Sequence, residues 1–294
     1  MDFSLSDDQQ AFVSLAREFA QKQLAPFAAD WDEHKRFPAE TLRAAGALGL
    51  CGMYCPEQLG GTGLSRLDAA LVLEELAQGC TSTAAYLSIH NMAAWMVATW
   101  GSSAVAGQWA SELAAGSKLA SYCLTEANAG SDAAAVRTSA QRVAGDYVLN
   151  GAKAFISGAG DTDALVVMAR TGGEGAGGIS AFLVPSDTTG VSFGKNETKM
   201  GWNSQATRAI TFEDARIPAE NRLGKEGEGF MIAMRGLEGG RINIGACSLG
   251  AAQATLDMSQ RYLGERRQFG QALADFQALQ FRLADMATDL GAAR

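Results

Sequence analysis

The feature that most constrains the fold is a change of periodicity along the chain. The first and last thirds carry apolar residues at helical spacing, whereas the middle third consists of short β-rich runs. These runs cover residues 147–149, 165–168, 181–184, 191–193 and 210–212. No helix-length segment separates them, so the pattern predicts an antiparallel β domain and argues against βαβ units. The dipeptide Asn150-Gly151 predicts a hairpin turn within this domain.

The N-terminal third is predicted to be helical. Ser6 begins Ser6-Asp7-Asp8-Gln9, which has the pattern of a capping box. Two further segments, about residues 65–78 and 82–100, each open with a serine that can cap a helix.

The helical period returns after Gly229. The last helix presents one apolar face, made of Phe276, Leu279, Leu283, Met286 and Leu290. The chain stops inside this helix at Arg294 without a capping signal, so we expect it to be cut within a helical domain. The fold class is therefore α+β. We expect an N-terminal helical domain at 1–117, a middle antiparallel β-barrel or sandwich domain at 118–225, and the start of an incomplete C-terminal helical bundle at 226–294.

Composition and charge exclude several function classes. The net charge is −8 and no basic run occurs, which argues against a nucleic-acid partner and against docking on anionic membranes. No run of apolar residues is long enough to span a membrane, and the polar start at Met1 does not look like a signal peptide. The five cysteines are scattered, which favours a reducing compartment. The two histidines, His34 and His90, lie far apart, so no metal site is predicted.

A loop of small residues ends the first β-like run. It reads Tyr122-Cys123-Leu124-Thr125-Glu126-Ala127-Asn128-Ala129-Gly130-Ser131-Asp132. Small residues let the backbone approach a flat ring or a phosphate, and a row of N–H groups can bind anionic oxygens. The pattern alone equally fits an ordinary polar loop between strands.

This stretch resembles the signature of acyl-CoA dehydrogenases, with Thr-Glu followed by a small residue and Gly-Ser-Asp. The resemblance extends over essentially the whole chain, and it implies FAD as the cofactor. It also implies that residues of this stretch bind the cofactor, namely Tyr122, Cys123, Leu124, Thr125, Glu126 and Ser131. Ser131 is expected to contact the substrate as well.

A second stretch, Lys153-Ala154-Phe155-Ile156-Ser157-Gly158, resembles the family's Lys-x-aromatic-Ile-Ser/Thr segment. The resemblance implies that Phe155 packs on the isoalloxazine, with Ile156 beside it, and that the Ser157 hydroxyl meets flavin N5. Without the first stretch, Phe155 would be interpreted as a core aromatic of a strand.

A third stretch, residues 234–243, resembles the family helix that contacts the acyl-CoA. The matching residues are Glu238, Gly239, Gly240 and Arg241, and Arg241 suits the polar pantetheine and phosphate groups best. Glu238 and Arg241 are also three residues apart on a helix, so a surface ion pair is the alternative interpretation.

A fourth stretch around Glu265-Arg266-Arg267-Gln268-Phe269-Gly270 resembles the segment that reaches the FAD of a neighbouring subunit. Arg266 would bind the pyrophosphate and Phe269 would pack near the adenosine, while Phe276 and Gln277 match further flavin contacts. The alternative for Arg266 and Arg267 is a solvated basic turn. The resemblance implies a homotetramer.

The implied reaction is α,β-dehydrogenation of a short branched acyl-CoA, with isobutyryl-CoA the expected substrate, as in valine degradation. Electrons would pass to an electron-transfer flavoprotein. Other interpretations remain open: an acyl-CoA oxidase or a flavin monooxygenase on the same fold, or a non-catalytic remnant that binds flavin or acyl-CoA. A bacterial cytoplasm is the expected compartment, since Met1 lies close to the first helix, and the mitochondrial matrix is the alternative.

The catalytic base is missing from the matched positions. In one branch of the family a glutamate directly precedes the arginine of the third stretch, but here that position is Gly240. In the other branches the base lies beyond the helix in which this chain ends, so we expect it beyond residue 294. Glu238 is the fallback base within the chain.

Overall fold

The computed structural model describes residues 4–294, so the polar start at Met1 interpreted above lies outside the described residues. The N-terminal part is helical, as predicted. Its helices are α1 (Asp7–Phe19), extended by a π-turn over Ala20–Leu24, α2 (Ala28–Glu33), α3 (Ala39–Gly46), α4 (Arg66–Trp100), α5 (Ser103–Val105) and α6 (Ser111–Ala114), with a second π-turn at Ala106–Ala110. The capping box that opens α1 is confirmed: Gln9 N donates to Ser6 Oγ (3.3 Å) and Ser6 N donates to Gln9 Oε1 (3.1 Å).

Helix α4 consists of two helical halves that fold back on each other. Cys80 interrupts it with an extended backbone, at φ −158° and ψ 104°. In a straight helix Arg66 and Trp95 would lie about 43 Å apart, because each residue advances the helix by about 1.5 Å. Instead Arg66 Cζ lies 4.7 Å from the centroid of the Trp95 ring. The two helical segments predicted in this region are therefore confirmed as the arms of a helical hairpin.

The predicted serine caps of α4 have different outcomes. Ser65 caps the first half, where Asp68 N donates to Ser65 Oγ at 3.2 Å. The prediction that Ser82 caps the second half is wrong, because the break falls at Cys80. Ser82 is buried, and its hydroxyl accepts a hydrogen bond from Ser204 (2.8 Å), which ties the hairpin to the β domain.

The middle part forms one eight-stranded sheet. Its strands are β1 (Ala120–Cys123), β2 (Ser139–Val143), β3 (Asp146–Ser157), β4 (Ala164–Arg170), β5 (Ile179–Pro185), β6 (Val191–Phe193), β7 (Thr207–Pro218) and β8 (Arg222–Leu223). They lie in the order β6-β7-β3-β2-β4-β5-β8, and β1 also pairs with β4. The antiparallel prediction needs a correction, because β4 pairs in parallel with β1 and at one position with β2. Strand β1 arrives from the helices, so no hairpin turn dictates its direction.

The hairpin turn predicted at Asn150-Gly151 is wrong. Both residues lie inside β3, where the register to β7 shifts and Gly151 has φ 141°. Asn150 exchanges two hydrogen bonds with Asp214 of β7, at 2.9 and 3.0 Å. The turn lies instead at Ala144-Gly145, where both residues have positive φ (51° and 94°). An Asn-Gly pair can form a β-bulge as well as a turn. Here the pairing of β3 with β7 favours the irregular strand over the turn.

The C-terminal part contains α7 (Gly229–Glu265), a short hairpin of β9 (Arg267–Gln268) and β10 (Gln271–Ala272), and α8 (Gln277–Ala293). Helix α7 packs along α4, and β4 and β5 are covered on both faces. On α8 the predicted apolar face is only partly covered, since Leu290 is buried but Met286 is 42% exposed. Across the described residues no helix is both long and apolar enough to cross a membrane. The α+β fold class is confirmed.

His90 joins α4 to α6 and to the start of β1, and it predicts a pH dependence. Its ring is buried: Nε2 contacts Leu113 O at 3.0 Å, and Nδ1 accepts from Ala120 N at 3.1 Å. Burial lowers the pKa of His90 to about 4 from 6.5. Between these values the unfolded chain binds a proton that the folded chain does not. We therefore expect the free energy of unfolding to fall by about 3 kcal/mol as the pH decreases from 6.5 to 4.

Urea unfolding across this pH range measures the effect. His90→Gln should lose this part of the slope, whereas His34→Gln, at an exposed position, should keep it. An equal slope in wild type and His90→Gln would contradict the assignment.

Candidate functional site

A cavity of about 630 Å³ lies where α4 and α7 meet β1, the loop after β1 and the end of β3. Its lining is mainly apolar and comes from four segments. They contribute Ser88, Ile89 and Met92; Tyr122, Leu124, Thr125 and Gly130; Phe155, Ile156 and Ser157; and Leu237, Gly240, Arg241 and Ile244. The structure therefore brings together three of the four stretches singled out in the sequence.

Strand β1 places one unpaired polar group at the cavity. The Tyr122 hydroxyl is enclosed, and none of the residues in 4–294 offers it a hydrogen bond. Burial raises the pKa of Tyr122, so the group is a neutral phenol. Leu124 and Thr125 follow on the lining, whereas Cys123 is buried in the core of the sheet. Burial raises the pKa of Cys123 to about 12, so its thiol is inert.

Glu126 lies outside the lining and holds the loop in place. Its carboxylate accepts from the backbone N–H groups of Arg137 (2.7 Å) and Thr138 (2.9 Å) and from Lys153 Nζ (2.8 Å). Lys153 is fully buried and also donates to Leu124 O at 3.0 Å. Burial opposes ionisation of Glu126, but Lys153 and the N–H groups outweigh it and leave the pKa lowered. The anchoring role of Lys153 was not predicted, because the motif shows that a lysine stands at this position but not that its side chain is buried against Glu126.

Phe155 presents its ring to the cavity from a strained backbone. It has φ 59°, in the left-handed region, and its side chain is 64% exposed. The register between β3 and β7 shifts here, between Lys153 and Ile156. Ile156 is buried, and Ser157 closes the lining at the end of β3. A bulky residue held at positive φ with an exposed ring is a feature of functional sites.

Helix α7 forms the opposite wall through Gly240 and Arg241, while Glu238 is exposed and outside the lining. At Gly240 an added Cβ would have Met92 Sδ as its nearest neighbour, 3.8 Å away, so a side chain has room there.

Gly239 faces away from the cavity and is buried against Arg66. A Cβ at position 239 would lie 2.1 Å from Arg66 Nη1. The structure therefore places Gly239 in helix packing, and not among the lining residues with which it was predicted.

The remaining predicted residues lie outside the lining. Ser131 is exposed next to Gly130. Phe269 sits at the tip of the β9–β10 hairpin with φ 54° and 92% exposure, 6.3 Å from the Phe276 ring between centroids. Arg266 and Gln277 are also exposed. The structure does not bring this fourth stretch to the cavity within one chain.

No residue of the cavity lining carries a carboxylate. Within residues 4–294, no cluster of His, Cys, Asp and Glu side chains is arranged to hold a metal ion.

Comparison with known proteins gives consistent matches along the chain. Residues 6–117, 121–215 and 227–294 match the N-terminal, middle and C-terminal domains of acyl-CoA dehydrogenases. Mitochondrial isobutyryl-CoA dehydrogenase of Bos taurus is 52% identical over 290 residues, covering 99% of this chain and 70% of that protein. The butyryl-CoA dehydrogenase structure from Megasphaera elsdenii superposes with a TM-score of 0.95 at 39% identity, covering 99% and 78% of the two chains. The FAD complex of PigA superposes with a TM-score of 0.92 at 31% identity, covering 99% and 77%.

Proposed function

The chain belongs to the acyl-CoA dehydrogenase family, and on that premise we propose that it dehydrogenates isobutyryl-CoA, a short branched acyl-CoA, between the α- and β-carbons. Members of this family are FAD-dependent oxidoreductases that act on CH–CH bonds. The observation that carries the proposal is the mainly apolar cavity enclosed by Tyr122, Thr125, Phe155 and Ser157 on one side and α4 and α7 on the other. The likeness to the bovine isobutyryl-CoA dehydrogenase supports the choice of acyl group.

The residues at the cavity fit FAD. The unpaired Tyr122 hydroxyl needs a polar partner that the described protein residues do not supply. The exposed Phe155 ring offers a flat apolar face, and the Ser157 and Thr125 hydroxyls lie on the same lining. We therefore assign Tyr122, Thr125, Phe155 and Ser157 to the flavin side of the cavity. When bound there, FAD supplies the acceptor for the hydride that leaves the β-carbon.

The α7 wall binds the acyl-CoA in this proposal. Leu237, Ile244 and Met92 enclose the acyl group and exclude water, which strengthens polar interactions inside the cavity. Arg241 is both exposed and part of the lining, so its guanidinium is available to the polar part of CoA at the cavity mouth.

The α-proton requires a base, and the described lining carries no carboxylate. We propose that the base lies outside this lining, in a part of the protein beyond residue 294. In support, the bovine relative is longer, since the match covers 70% of it. Glu238, the fallback, is exposed and outside the lining.

Tyr122→Phe tests the assignment of the flavin side. Removing the hydroxyl takes away a buried group without a protein partner, so the FAD-free protein should be as stable as wild type or more stable. The same change should weaken FAD binding about tenfold or less, as expected for the loss of one hydrogen bond. Thermal unfolding of the FAD-free protein and fluorescence titration with FAD measure the two effects. Unchanged FAD affinity would contradict the assignment.

The reaction is tested by mixing the FAD-loaded protein anaerobically with isobutyryl-CoA, butyryl-CoA or 2-methylbutyryl-CoA and recording flavin absorbance. We expect bleaching, fastest with isobutyryl-CoA, when the chain tested includes the proposed base beyond residue 294. Re-oxidation is then followed with air and with electron-transfer flavoprotein. Rapid re-oxidation by air would instead identify an oxidase. Acyl-CoA binding without bleaching would identify a binding protein or a base outside the chain tested, and no response to any acyl-CoA would contradict the proposal.

The partner and the assembly are further parts of the proposal. We propose an electron-transfer flavoprotein as the electron acceptor and a homotetramer as the assembly. The exposed Phe269 and the partly covered α8 face support contact with another subunit. Light scattering of the FAD-loaded protein tests the assembly.

We propose a bacterial cytoplasm as the compartment, with the mitochondrial matrix as the alternative because the bovine relative is mitochondrial.

A further inference from the structure

Arg66 lies behind the cavity, and the reaction proposed above gives it no role. It is the first residue of α4, where the helix dipole disfavours a positive charge. Its guanidinium lies between two aromatic rings, with Cζ 4.2 Å from the Tyr54 centroid and 4.7 Å from the Trp95 centroid. Cation–π contact with both rings offsets the unfavourable location and fixes the plane of the group. A tertiary contact, and not helix propensity, therefore explains an arginine at this position.

The Arg66 guanidinium is also held without full hydrogen bonding. Nη1 is enclosed and has no hydrogen-bond partner among residues 4–294. This nitrogen lies against α7, where a Cβ at Gly239 would be 2.1 Å from Nη1 and 2.5 Å from Cζ. A side chain at 239 would therefore have to displace the guanidinium from its contacts with the two rings. Arg66 thus occupies the space that a side chain at 239 would need.

This contact adjoins the cavity wall. Gly239 directly precedes Gly240 and Arg241, which line the cavity. One turn further along α7, Asn243 Nδ2 donates to Tyr54 Oη (2.6 Å) and to Ser88 Oγ (3.0 Å), and Ser88 also lines the cavity. The Arg66–Tyr54 pair thus contacts α7 at two successive turns, immediately behind the lining.

We propose that Arg66 is a positioning residue that sets the width of the substrate cavity. By occupying the space beside Gly239, it holds this turn of α7 at its distance from α4, and with it the gap between Gly240 and Met92. Met92 Sδ faces Gly240 across that gap, 3.8 Å from the place where a Cβ at 240 would stand. In this proposal, the acyl group lies against this gap, so its width limits the length of acyl group that the cavity accepts. The inference rests on the proposed function, in which this cavity holds the acyl chain.

Four FAD-loaded proteins test the proposal: wild type, Arg66→Ala, Gly239→Ala and the double variant. Calorimetric titration with isobutyryl-CoA and with hexanoyl-CoA gives Kd for each. We expect Gly239→Ala to weaken isobutyryl-CoA binding about tenfold, on the scale of one misplaced methyl group. The double variant should recover most of this loss, because the new methyl enters the space that Arg66 vacates. Arg66→Ala alone should lower the Kd for hexanoyl-CoA relative to that for isobutyryl-CoA, since the α7 wall is no longer held in place by Arg66.

Gly245→Ala is the matched control, because Gly245 is exposed on the same helix and a Cβ there meets nothing within 4 Å. Its Kd values should equal those of wild type. If the Arg66 variants lower the melting temperature but leave the ratio of the two Kd values unchanged, Arg66 is merely structural and the proposal is overturned. If Gly239→Ala does not fold, the proposal is tested by the ratio of the two Kd values in Arg66→Ala, because that variant introduces no clash. Failure of wild type to bind any acyl-CoA would instead overturn the proposed function.

Discussion

Gly240→Glu is expected to speed the bleaching of bound FAD by isobutyryl-CoA at least about a hundredfold in the 294-residue chain, the lower end of the range for a positioned general base. Gly240 lines the cavity, whose lining carries no carboxylate. A side chain fits there, since a Cβ at 240 has no neighbour closer than Met92 Sδ at 3.8 Å. The apolar surroundings should raise the pKa of the new carboxyl and suit it to remove a weakly acidic proton. Anaerobic stopped-flow absorbance measures the rate.

Two control variants test separately whether the new carboxyl acts as the base and whether its position in the cavity matters. Gly240→Gln has nearly the same size but cannot accept the proton, so it should bleach no faster than wild type. Gly245→Glu puts the same carboxyl on the exposed side of α7, away from the cavity, and should also have no effect. Equal rates for Gly240→Glu and Gly240→Gln would show that position 240 does not face the reacting carbon.

Glu126→Gln should lower the free energy of unfolding by about 3 kcal/mol, because it leaves a buried ammonium without its counter-charge. Lys153 is fully buried, and the Glu126 side chain is 11% exposed. Chemical unfolding of the FAD-free protein measures this change without any contribution from the cofactor. A second substitution, Lys153→Met, should restore part of the loss, since it removes the buried charge. Glu18→Gln, in the exposed pair with Lys22, should have no measurable effect.

The effect of Glu126→Gln should depend on pH. The pKa of Glu126 is lowered in the folded protein, so its ionised form contributes stability above the ordinary value of 4.5. This contribution is lost as the pH falls through the lowered pKa, because the folded carboxylate then takes up a proton as well. The difference between wild type and Glu126→Gln should therefore shrink in acid. A difference that stays constant from about pH 7 to about pH 3 would contradict a role for the Glu126 charge.

Local signals in the sequence predicted local structure well. The capping box at Ser6 and the serine cap at Ser65 formed as expected, since each needs only hydrogen bonds between residues three apart. Asn150-Gly151 failed for the opposite reason. The conformation of this pair depended on Asp214, 64 residues away, which hydrogen-bonds to Asn150 from the neighbouring strand β7. The parallel partner of β1 likewise lies some forty residues further along the chain.

The candidate site divides in the same way. Resemblance brought out Thr125, Phe155, Ser157 and Arg241, and the structure places all four on one cavity. Their assignment to FAD and acyl-CoA stays a prediction. Glu126 belonged to the same signature, yet its carboxylate turns away from the cavity to pair with Lys153. A motif records which residues occur together, but it does not record which way each side chain points.

By itself the sequence determined the order of helical, β and helical segments, the α+β class and the family. The reason is that periodicity and local motifs can be identified without knowing which distant residues are in contact. Only the tertiary structure decided the reversal of α4 at Cys80, the contact of Arg66 with Gly239 and the shape of the cavity. Each of these depends on side chains far apart in sequence that meet through close packing. Such packing depends on the joint fit of several elements, which no single segment encodes.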